Sequence, residues 1–367
     1  MLIKFHVSNY KQFHDLTMDF TDVRDYCFQK DCLTKHKQPF IKTALIFGSN
    51  ASGKSNLGFA IFDIVHHLVG KNIPPRSNSY YVNADHPDSA AEFTYTFLLN
   101  GKEVVYSYAK TAPQSIIFEK LVLNRMTIFE RTQDHVSAPG LSKADVQKVN
   151  QSHLQSQHSL LKLIACNADL PESSPIHALM TFVNKMLWIG SFDNNHSICE
   201  HQESTDRIEE FIISNGLTEE FQKYLNLNKI SETLVSNSDG SGKQRLFCSH
   251  KRNLPFFETA SEGTIALAAH FYRQHFSNDI SFLFIDDFDA FYHIESAKDI
   301  LQKIKRFKCQ TVVTTHNTGL LSHKILRPDV CFVMKSGILT SFPNLTDREL
   351  REGNNLEKLY LSGEFDA

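Results

Sequence analysis

The segment Thr43-Ala-Leu-Ile-Phe-Gly-Ser-Asn-Ala-Ser-Gly-Lys-Ser-Asn56 decides the fold. Its four apolar residues Ala44–Phe47 predict a buried strand, and the apolar spacing of Asn56–Leu68 predicts a helix. Between them, residues 48–55 read G-x-x-x-x-G-K-S, the phosphate-binding loop (P-loop) pattern in the strand–loop–helix order that it requires. The segment therefore predicts an α/β fold with a phosphate site where the helix begins.

The residue types in this loop suit a nucleoside triphosphate with Mg²⁺. Gly48 and Gly53 let backbone N–H groups curl around a β-phosphate, because a side chain there would collide with the phosphate oxygens. The helix N-terminus adds the positive end of its dipole. Lys54 is placed to reach the β- and γ-phosphates, and the Ser55 hydroxyl to ligate Mg²⁺. The same segment supplies three further candidate nucleotide-contacting residues, Asn50, Ser52 and Asn56.

Composition places the chain among ordinary globular proteins. It has 367 residues, of which 41% are hydrophobic and 22% charged, enough for a large core and two lobes. The formal charge of -3 gives no global basic field that would demand nucleic acid. No apolar run approaches the ~18 residues that span a bilayer, and the N-terminus lacks the apolar centre of a signal peptide. Seven scattered cysteines without a C-x-x-C motif favour a reducing compartment, so we expect a cytoplasmic protein.

The order of patterns along the chain predicts three parts. Residues 1–135 hold an N-terminal hairpin, the P-loop and an antiparallel β meander, in which Asn100-Gly101 is a strong hairpin turn. Residues 136–250 read as an inserted, mainly helical lobe, and residues 251–367 return to an α/β pattern. We therefore expect an α/β protein whose mixed-sheet core carries an antiparallel β subdomain and a helical insertion. The lobe is predicted to contain helical spacing at 154–168, 176–188, 207–214 and 217–227, and a flexible segment at 236–243.

A second motif, Ser261-Glu-Gly263-Thr264, stands where a helix is predicted to begin. Ser261 is a good N-cap, and Gly263 permits close approach to the backbone. The motif is typical either of a simple helix start or of a ligand contact at a helix N-terminus.

Two further motifs follow predicted core strands. Asp286 and Asp287 end an apolar strand, at the edge where ligands bind in open α/β sheets. One carboxylate can hold Mg²⁺ through water while the other orients an attacking water; the alternative is an exposed acidic turn. His316 ends the next strand, and its imidazole can hydrogen-bond a γ-phosphate or be structural.

Taken in order, these motifs resemble the ABC-type ATPases related to the RecF, SMC and OLD proteins, and most closely the stand-alone RloA-like bacterial AAA ATPases that are associated with phage defence. The resemblance covers both ends of the chain well and the 140–235 region poorly. The matching pieces are Val7–Phe13, the Walker A motif Gly48–Ser55 with Asn56, the signature Ser261–Thr264, the Walker B motif Phe282–Asp286, Asp289–His293, Thr314–Asn317 and Leu361–Asp366.

The resemblance implies an ATPase that uses ATP and Mg²⁺ and forms ATP-sandwich dimers. Ser261 and the Gly263 N–H of one subunit would contact the γ-phosphate held by Lys54 of the other, so hydrolysis would loosen the dimer. It implies catalytic roles for Asp286, Asp287 and His316, with Ser55 and Asp286 as metal ligands. It also implies control of a separate effector protein, a nuclease or toxin, in anti-phage defence.

Two positions depart from the family pattern. The residue after the Walker B aspartate is usually glutamate, and Asp287 is one methylene shorter, which predicts slow turnover. The glutamine that usually contacts Mg²⁺ has no clear counterpart, and Asn83 is a weak candidate. Two alternatives stay open: a DNA-repair ATPase that acts on DNA directly, and a nucleotide-locked scaffold with little turnover.

Other polar clusters carry weaker signals. His196, Cys199 and His201 lack a fourth zinc ligand, as do Cys27, Cys32 and His36, so both groups are interpreted as structural or solvated. The basic run Lys303–Lys308 predicts a solvated helix face or a contact with nucleic acid. No appended TOPRIM nuclease domain is expected after His316.

Overall fold

The structure, a computed structural model, describes residues 1–36, 38–70, 78–142, 158–171, 173–190, 204–276, 279–290 and 294–365. These ranges contain sixteen strands in three sheets and nine α-helices. The predicted α/β class with a mixed sheet and an antiparallel sheet is confirmed.

The elements follow each other along the chain with these bounds. The strands are β1 (Leu2–Tyr10), β2 (Phe13–Asp19), β3 (Thr43–Phe47), β4 (Ala91–Leu99), β5 (Lys102–Ala112), β6 (Ser115–Leu123), β7 (Met126–Arg131), β8 (Val136–Ser137), β9 (Met186–Gly190), β10 (Leu234–Ser238), β11 (Gln244–Cys248), β12 (Leu254–Pro255), β13 (Phe282–Asp286), β14 (Gln310–Thr315), β15 (Cys331–Lys335) and β16 (Ile338–Ser341). The helices are α1 (Lys54–Val69), α2 (Leu160–Asn167), α3 (Pro175–Asn184), α4 (Thr205–Ser214), α5 (Thr218–Leu227), α6 (Phe256–Thr259), α7 (Glu262–Phe276), α8 (Ile294–Ile304) and α9 (Leu356–Leu361).

The central sheet has six strands in the order β16-β15-β3-β14-β13-β9. β15, β3, β14, β13 and β9 run parallel, and only the edge strand β16 is antiparallel to its neighbour. Their residues are buried almost throughout, which explains the continuous apolar runs in the sequence. The carboxyl ends of β3, β14 and β13 therefore lie side by side, and the three motifs that follow them meet at one edge.

Helix α1 lies against this sheet at a distance that only glycine permits. A Cβ on Gly58 would stand 2.6 Å from the Phe284 ring and 2.7 Å from the Trp188 indole nitrogen. Helices α2 and α3 pack against α1 as well. The helix that begins at the P-loop is thus clamped between the sheet and a helical layer, which fixes the position of its N-terminus.

The second sheet is antiparallel, with seven strands in the order β2-β1-β4-β5-β6-β7-β8. It confirms the predicted hairpin and meander. Asn100 and Gly101 connect β4 to β5 with φ of 50° and 74°, the left-handed geometry that favours this residue pair. A buried ion pair joins the sheet to α1, where Lys110 donates to Asp63 at 2.5 Å. Tyr81 and Tyr108 donate hydroxyls to the same carboxylate at 2.7 and 2.9 Å.

One predicted helix was wrong at its end. The pattern at 176–188 predicted a single helix, but α3 ends at Asn184 and residues 186–190 form β9, which pairs with β13 in the central sheet. The run Met186-Leu-Trp-Ile is apolar on every side, and such a run suits a strand buried on both faces as well as a helix. The segment 136–250 thus contributes an edge strand to the core.

The segment predicted to be flexible is a β-hairpin. Residues 236–243 belong to β10 and its turn, and β10, β11 and β12 form the third sheet. The Asp239 carboxylate accepts the N–H groups of Ser241 at 2.8 Å and Lys243 at 3.0 Å, which stabilises the turn. Arg245 on β11 pairs with the buried Glu209 of α4 at 2.8 Å.

The helices of this region otherwise confirm the predictions at 207–214 and 217–227. Helix α2 confirms the part of 154–168 that the structure describes, since residues 154–157 lie outside it. Helix α7 packs against α4 and α5. Within the described ranges, no helix is long and apolar enough to cross a bilayer.

Candidate nucleotide-binding site

The P-loop joins β3 to α1 and closes around two glycines. A Cβ on Gly48 would stand 2.6 Å from the Ser52 hydroxyl and 2.7 Å from the Met334 carbonyl. Gly53 has φ of 113°, and a Cβ on it would collide with the Gln12 side-chain amide. Gly48 is therefore required because there is no space for a side chain. Gly53 is required both because space is lacking and because its backbone conformation favours glycine.

The cationic group of the loop is Lys54, at the first position of α1. Its side chain is buried, and its ammonium group donates to the carbonyls of Gly48 at 2.8 Å and Ser49 at 3.0 Å. The buried Ser52 hydroxyl has no hydrogen-bond partner within the described part of the chain. A polar cradle with an ammonium group and an unsatisfied hydroxyl fits an anion such as a polyphosphate. Among the other candidates in the loop, Asn50 lies exposed.

Gln12 holds the loop from outside, and the sequence analysis did not assign it a role. Its Nε2 donates to the Ser52 carbonyl at 2.9 Å, and its Oε1 accepts from Asn56 Nδ2 at 2.8 Å. The turn between β1 and β2 is thereby tied to the second half of the loop and to the first turn of α1. Gln12 belongs to the Val7–Phe13 stretch that carries part of the family resemblance, and that membership was the one indication in the sequence that Gln12 has a role at the site.

The predicted metal ligands lie side by side. Asp286, at the end of β13, accepts a hydrogen bond from Thr314 Oγ1 at 2.6 Å. Burial raises the pKa of Asp286, and the neighbouring Ser55 and Thr314 hydroxyls oppose that rise. Hydroxyl and carboxylate oxygens are the hard donors that Mg²⁺ takes alongside phosphate oxygens, so this donor set fits Mg²⁺.

The described residues offer no group of three or more His, Cys, Asp or Glu side chains placed to hold a metal ion. Ser55 and Asp286 alone would not complete the coordination of Mg²⁺, and oxygens of a bound phosphate and of water would have to supply the other ligands.

Asp287 has an unusual environment for the residue expected to orient water. Its φ is 45°, a conformation that costs a non-glycine residue of the order of 1 kcal/mol or more. Its N–H donates to Thr314 Oγ1 at 2.8 Å, and its buried Oδ1 accepts no hydrogen bond from the described residues. Nδ1 of the half-exposed His316 is 3.9 Å from that oxygen. The two predicted catalytic residues thus meet at the strand ends, with one carboxylate oxygen able to accept a proton or a hydrogen bond.

Thr315 forms a similar hydrogen bond with a second carboxylate, that of Asp289. Thr315 Oγ1 donates to Asp289 at 2.7 Å and accepts the Asn317 N–H at 2.9 Å. Burial raises the pKa of the Asp289 carboxyl. The adjacent residues Phe291, Tyr292 and His293 of the quoted motif lie outside the described part of the chain.

The signature residues lie elsewhere. Ser261 caps α7: its Oγ accepts the Thr264 N–H at 3.3 Å and lies 3.0 Å from Thr264 Oγ1. In the part of the chain that the structure describes, no hydrogen bond or ion pair joins Ser261 or Gly263 to the P-loop. The predicted helix start is confirmed, and contact of these residues with a nucleotide stays a prediction.

Asn83, the candidate to replace the glutamine that usually contacts Mg²⁺, uses its side-chain oxygen in a local turn. Asn83 is buried, and its Oδ1 accepts the Asp85 N–H at 2.8 Å. Its role toward Mg²⁺ stays a prediction without support from its hydrogen bonding.

Of the basic residues in the run at 303–308, only Lys305 is buried, which contradicts a solvated position for that residue, while Lys303 is partly buried and Arg306 and Lys308 are exposed. Lys305 is 4% exposed and pairs with Asp31 at 3.0 Å. Lys303 lies over the Tyr224 ring, 4.4 Å from the ring centroid, and burial lowers the pKa of Lys303.

The group of His196, Cys199 and His201, which was interpreted as structural or solvated, lies outside the described residues. Cys32 is buried and Cys27 exposed, both as free thiols.

A glycine loop at the carboxyl edge of a parallel sheet, with an acidic strand end beside it, defines a P-loop α/β protein. Residues 180–322 match the profile of a family described as "AAA domain, putative AbiEii toxin, Type IV TA system". The matched segment contains Ser261, Asp286 and His316. The match covers less than half of the chain, and its description as an AAA domain agrees with the P-loop fold. No match was found among curated proteins.

Similar solved structures include the SMC head domain from Thermotoga maritima, at 14% identity and a TM-score of 0.43 over 93% of this chain and 97% of that chain. The Smc head domain of Pyrococcus furiosus, with an extended coiled coil and the C-terminal domain of ScpA, gives 14% identity and a TM-score of 0.45 over 100% and 99%. The recombination mediator protein RecF-ATPrS gives 16% identity and a TM-score of 0.40 over 93% and 98%.

Proposed function

We propose that this protein binds Mg²⁺-ATP at the P-loop and hydrolyses it slowly to ADP and phosphate. The observation that carries the proposal is the parallel pairing of β3, β14 and β13, which sets the P-loop with Lys54 and Ser55 beside the buried Asp286. The P-loop and the acidic strand end lie more than 200 positions apart in the sequence, and they converge there (286 − 55 = 231). That convergence is what a site for a metal-bound triphosphate requires.

Each residue takes a role that its position supports. The loop N–H groups and Lys54 bind the phosphates, while Ser55 and Asp286 hold Mg²⁺, which supplies charge neutralisation when bound. Asp287 orients a water and takes its proton. The water oxygen bonds to the γ-phosphorus as the bond from phosphorus to the bridging oxygen of ADP breaks. His316 hydrogen-bonds the γ-phosphate as an electrostatic contact.

Steady-state phosphate release tests this assignment. Asp287→Asn keeps the side-chain size and tolerates the φ of 45°, because asparagine adopts that conformation readily. It should abolish turnover while leaving Mg²⁺-ATP binding intact. Asp287→Glu, which restores the usual residue, should raise turnover. If Asp287→Asn hydrolyses ATP at the wild-type rate, Asp287 has no catalytic role.

We further propose that two copies close head to tail around two ATP molecules. The support is that Ser261 and Gly263 lie at the start of α7 and, among the described residues, make no hydrogen bond or ion pair to the P-loop of their own chain, as residues acting on a second subunit would. Mixing Lys54→Ala with Ser261→Arg protein tests this, since one of the two composite sites in a mixed dimer is intact. The mixture should recover ATP-dependent activity that neither variant has alone; no recovery would count against shared sites.

The proposed biological role is control of a separate effector, such as a nuclease or toxin, in bacterial anti-phage defence inside the cytoplasm. The description of the matching family names a toxin and a type IV toxin–antitoxin system, which supports an effector-linked role. The division into a core at 1–135 and 251–367 with an insertion at 136–250 belongs to the same proposal. Direct action on DNA has less support, because Lys305 is buried beside Asp31 and Lys303 packs on the Tyr224 ring, which leaves Arg306 and Lys308 as the exposed basic residues of the 303–308 run.

Loss of phage protection tests the role in cells. Bacteria that carry the gene with its neighbours should lose protection when Lys54→Ala is introduced, and also when the neighbouring effector gene is deleted. Protection that survives Lys54→Ala would contradict the role.

A further inference from the structure

A cavity of about 620 Å³ opens beside the P-loop. It is lined by Lys11 and Gln12 of the β1–β2 turn, by Asn56 of α1, and by residues of the segment 79–85, among them Tyr80 and Asp85. Its volume lies within the range of small-molecule sites. We propose that this cavity holds the purine nucleoside of the bound nucleotide and that Tyr80 stacks on the base. The inference rests on the proposed function, because it concerns the same ligand.

Two of the residues that line the cavity also adjoin the P-loop. Gln12 lines the cavity and also donates to the Ser52 carbonyl of the loop at 2.9 Å. Asn56 lines it too, one residue after Ser55 on the first turn of α1. In a nucleoside triphosphate bound to the loop, the sugar and base are attached to the α-phosphate, at the end of the triphosphate opposite the γ-phosphate. Since Gln12 and Asn56 border both spaces, the cavity is where that end of the ligand arrives.

The wall that carries Tyr80 is anchored on both sides. Tyr81 is buried and donates its hydroxyl to Asp63 of α1 at 2.7 Å. The Lys11 N–H donates to the Tyr81 carbonyl at 3.1 Å, and the Lys11 ammonium group to the Ser79 carbonyl at 2.7 Å. The segment is therefore fixed against both α1 and the β1–β2 turn, and it presents a preorganised surface.

On this anchored wall Tyr80 projects outward. It is 92% exposed, more than any other large hydrophobic residue described, and its φ of 49° is rare for an aromatic residue. The strained backbone turns the ring out of the core while its neighbour Tyr81 is held inside. An exposed ring on a fixed wall costs little entropy to order, which suits stacking against a flat base.

The cavity is lined by one cationic and one anionic side chain, Lys11 and Asp85, so it has no excess positive charge that would favour a second phosphate group. Asp85 carries a carboxylate at the wall, 3.5 Å from the imidazole of His14. A carboxylate repels phosphate and accepts hydrogen bonds from ring N–H or amino groups. Purines carry such groups and offer a larger stacking surface than pyrimidines, so a purine fits the combination of Tyr80 and Asp85.

Calorimetric titration separates the base from the phosphates. Mg²⁺-ATP and inorganic tripolyphosphate with Mg²⁺ are titrated into the wild-type chain, Tyr80→Ala and Tyr80→Phe. Wild type should bind ATP more tightly than tripolyphosphate, and Tyr80→Ala should lose about tenfold in ATP affinity, the order expected for one stacking contact. Tripolyphosphate affinity should not change, and Tyr80→Phe should behave as wild type. Leu227→Ala, at another exposed apolar position, is the matched control.

The outcomes distinguish the two proposals. If both ligands bind with affinities that Tyr80→Ala leaves unchanged, phosphate binding at the loop stands and the nucleoside site is wrong. The same holds if tripolyphosphate binds as tightly as ATP to the wild type. If neither ligand binds to the wild type, the proposed function itself fails, and this inference with it. Because Tyr80 is almost fully exposed, its replacement leaves the fold intact.

Discussion

The hydroxyl of Thr314, near the end of β14, donates a 2.6 Å hydrogen bond to the carboxylate of Asp286 at the end of β13. The same hydroxyl oxygen accepts the N–H of Asp287. One side chain thus orients the proposed metal ligand and holds the backbone of the proposed catalytic residue. Since Asp286 is buried, each lost hydrogen bond leaves its charge less compensated.

Thr314→Val should weaken the Mg²⁺ dependence of the site. Valine has the shape of threonine without the hydroxyl, so the Asp286 carboxylate loses one donor and the Asp287 N–H its acceptor. We expect about 1–3 kcal/mol of lost stability and a higher Mg²⁺ concentration for half-maximal ATP binding. Thr314→Ser retains the hydroxyl and should stay close to wild type in both. Equal Mg²⁺ dependence in the valine and serine variants would show that Thr314 does not position the ligand.

Gln12→Ala should loosen the P-loop. The change removes the bonds to the Ser52 carbonyl and to Asn56, and it leaves Gly53 next to open space. Since a net hydrogen bond is worth about 1 kcal/mol, we expect a roughly fivefold to thirtyfold loss of ATP affinity. Gln12→Glu keeps the acceptor for Asn56 but sets a carboxylate against a carbonyl, and it should bind ATP no better than alanine. Unchanged affinity in both variants would contradict the bridging role.

The buried pair of Asp63 and Lys110 should couple strongly. Both side chains are nearly inaccessible, and burial lowers the pKa of Lys110. Lys110→Met alone leaves the Asp63 charge unpaired and should destabilise the fold by about 3–5 kcal/mol in urea unfolding. The double variant with Asp63→Asn should lose less than the sum of the two single changes. Additive losses would show that the pair is not a unit.

Lys11 should react with amine reagents at an unusually low pH. Burial lowers its pKa to about 8, whereas an ordinary lysine titrates near about 10.4. Below pH 8 the group is protonated and unreactive, and its neutral fraction rises as the pH passes through 8. Labelling followed by mass spectrometry between pH 6 and 10 should give a midpoint near 8 for Lys11. A midpoint near that of exposed lysines would refute the burial effect.

The strongly patterned parts of the fold were predictable from sequence, and the site followed from them. Parallel strands place their carboxyl ends at one edge, so apolar runs that end in the loop, in Asp286 and in His316 already imply one site. The need for glycine at two loop positions was also predicted from the sequence. The structure agrees, since the lack of space at Gly48 and the positive φ of Gly53 disfavour any other residue.

Other features depend on contacts that sequence spacing does not encode. Gln12 reaches Ser52 across 40 positions, and only the folded hairpin brings them together. The apolar run at 186–190 has no periodicity that separates helix from strand, so β9 was predicted as helix. The burial of Lys305 and the packing of Lys303 were not predictable, because their partners, Asp31 and Tyr224, are distant in sequence. The hairpin turn at 239–243 could have been predicted from the sequence, since Asp239-Gly240 is a residue pair that favours hairpin turns.

The most direct test of nucleotide use is equilibrium binding of Mg²⁺-ATP to the wild-type chain and to Lys54→Ala, measured by calorimetry on proteins of matched thermal stability. A charge-assisted contact to phosphate is worth about 1.5–3 kcal/mol, so the variant should bind at least tenfold more weakly. Saturable binding by the wild type that Lys54→Ala lowers to this extent is the predicted result. Absence of binding by the wild type, or equal binding by both proteins, would contradict a nucleotide site at this loop.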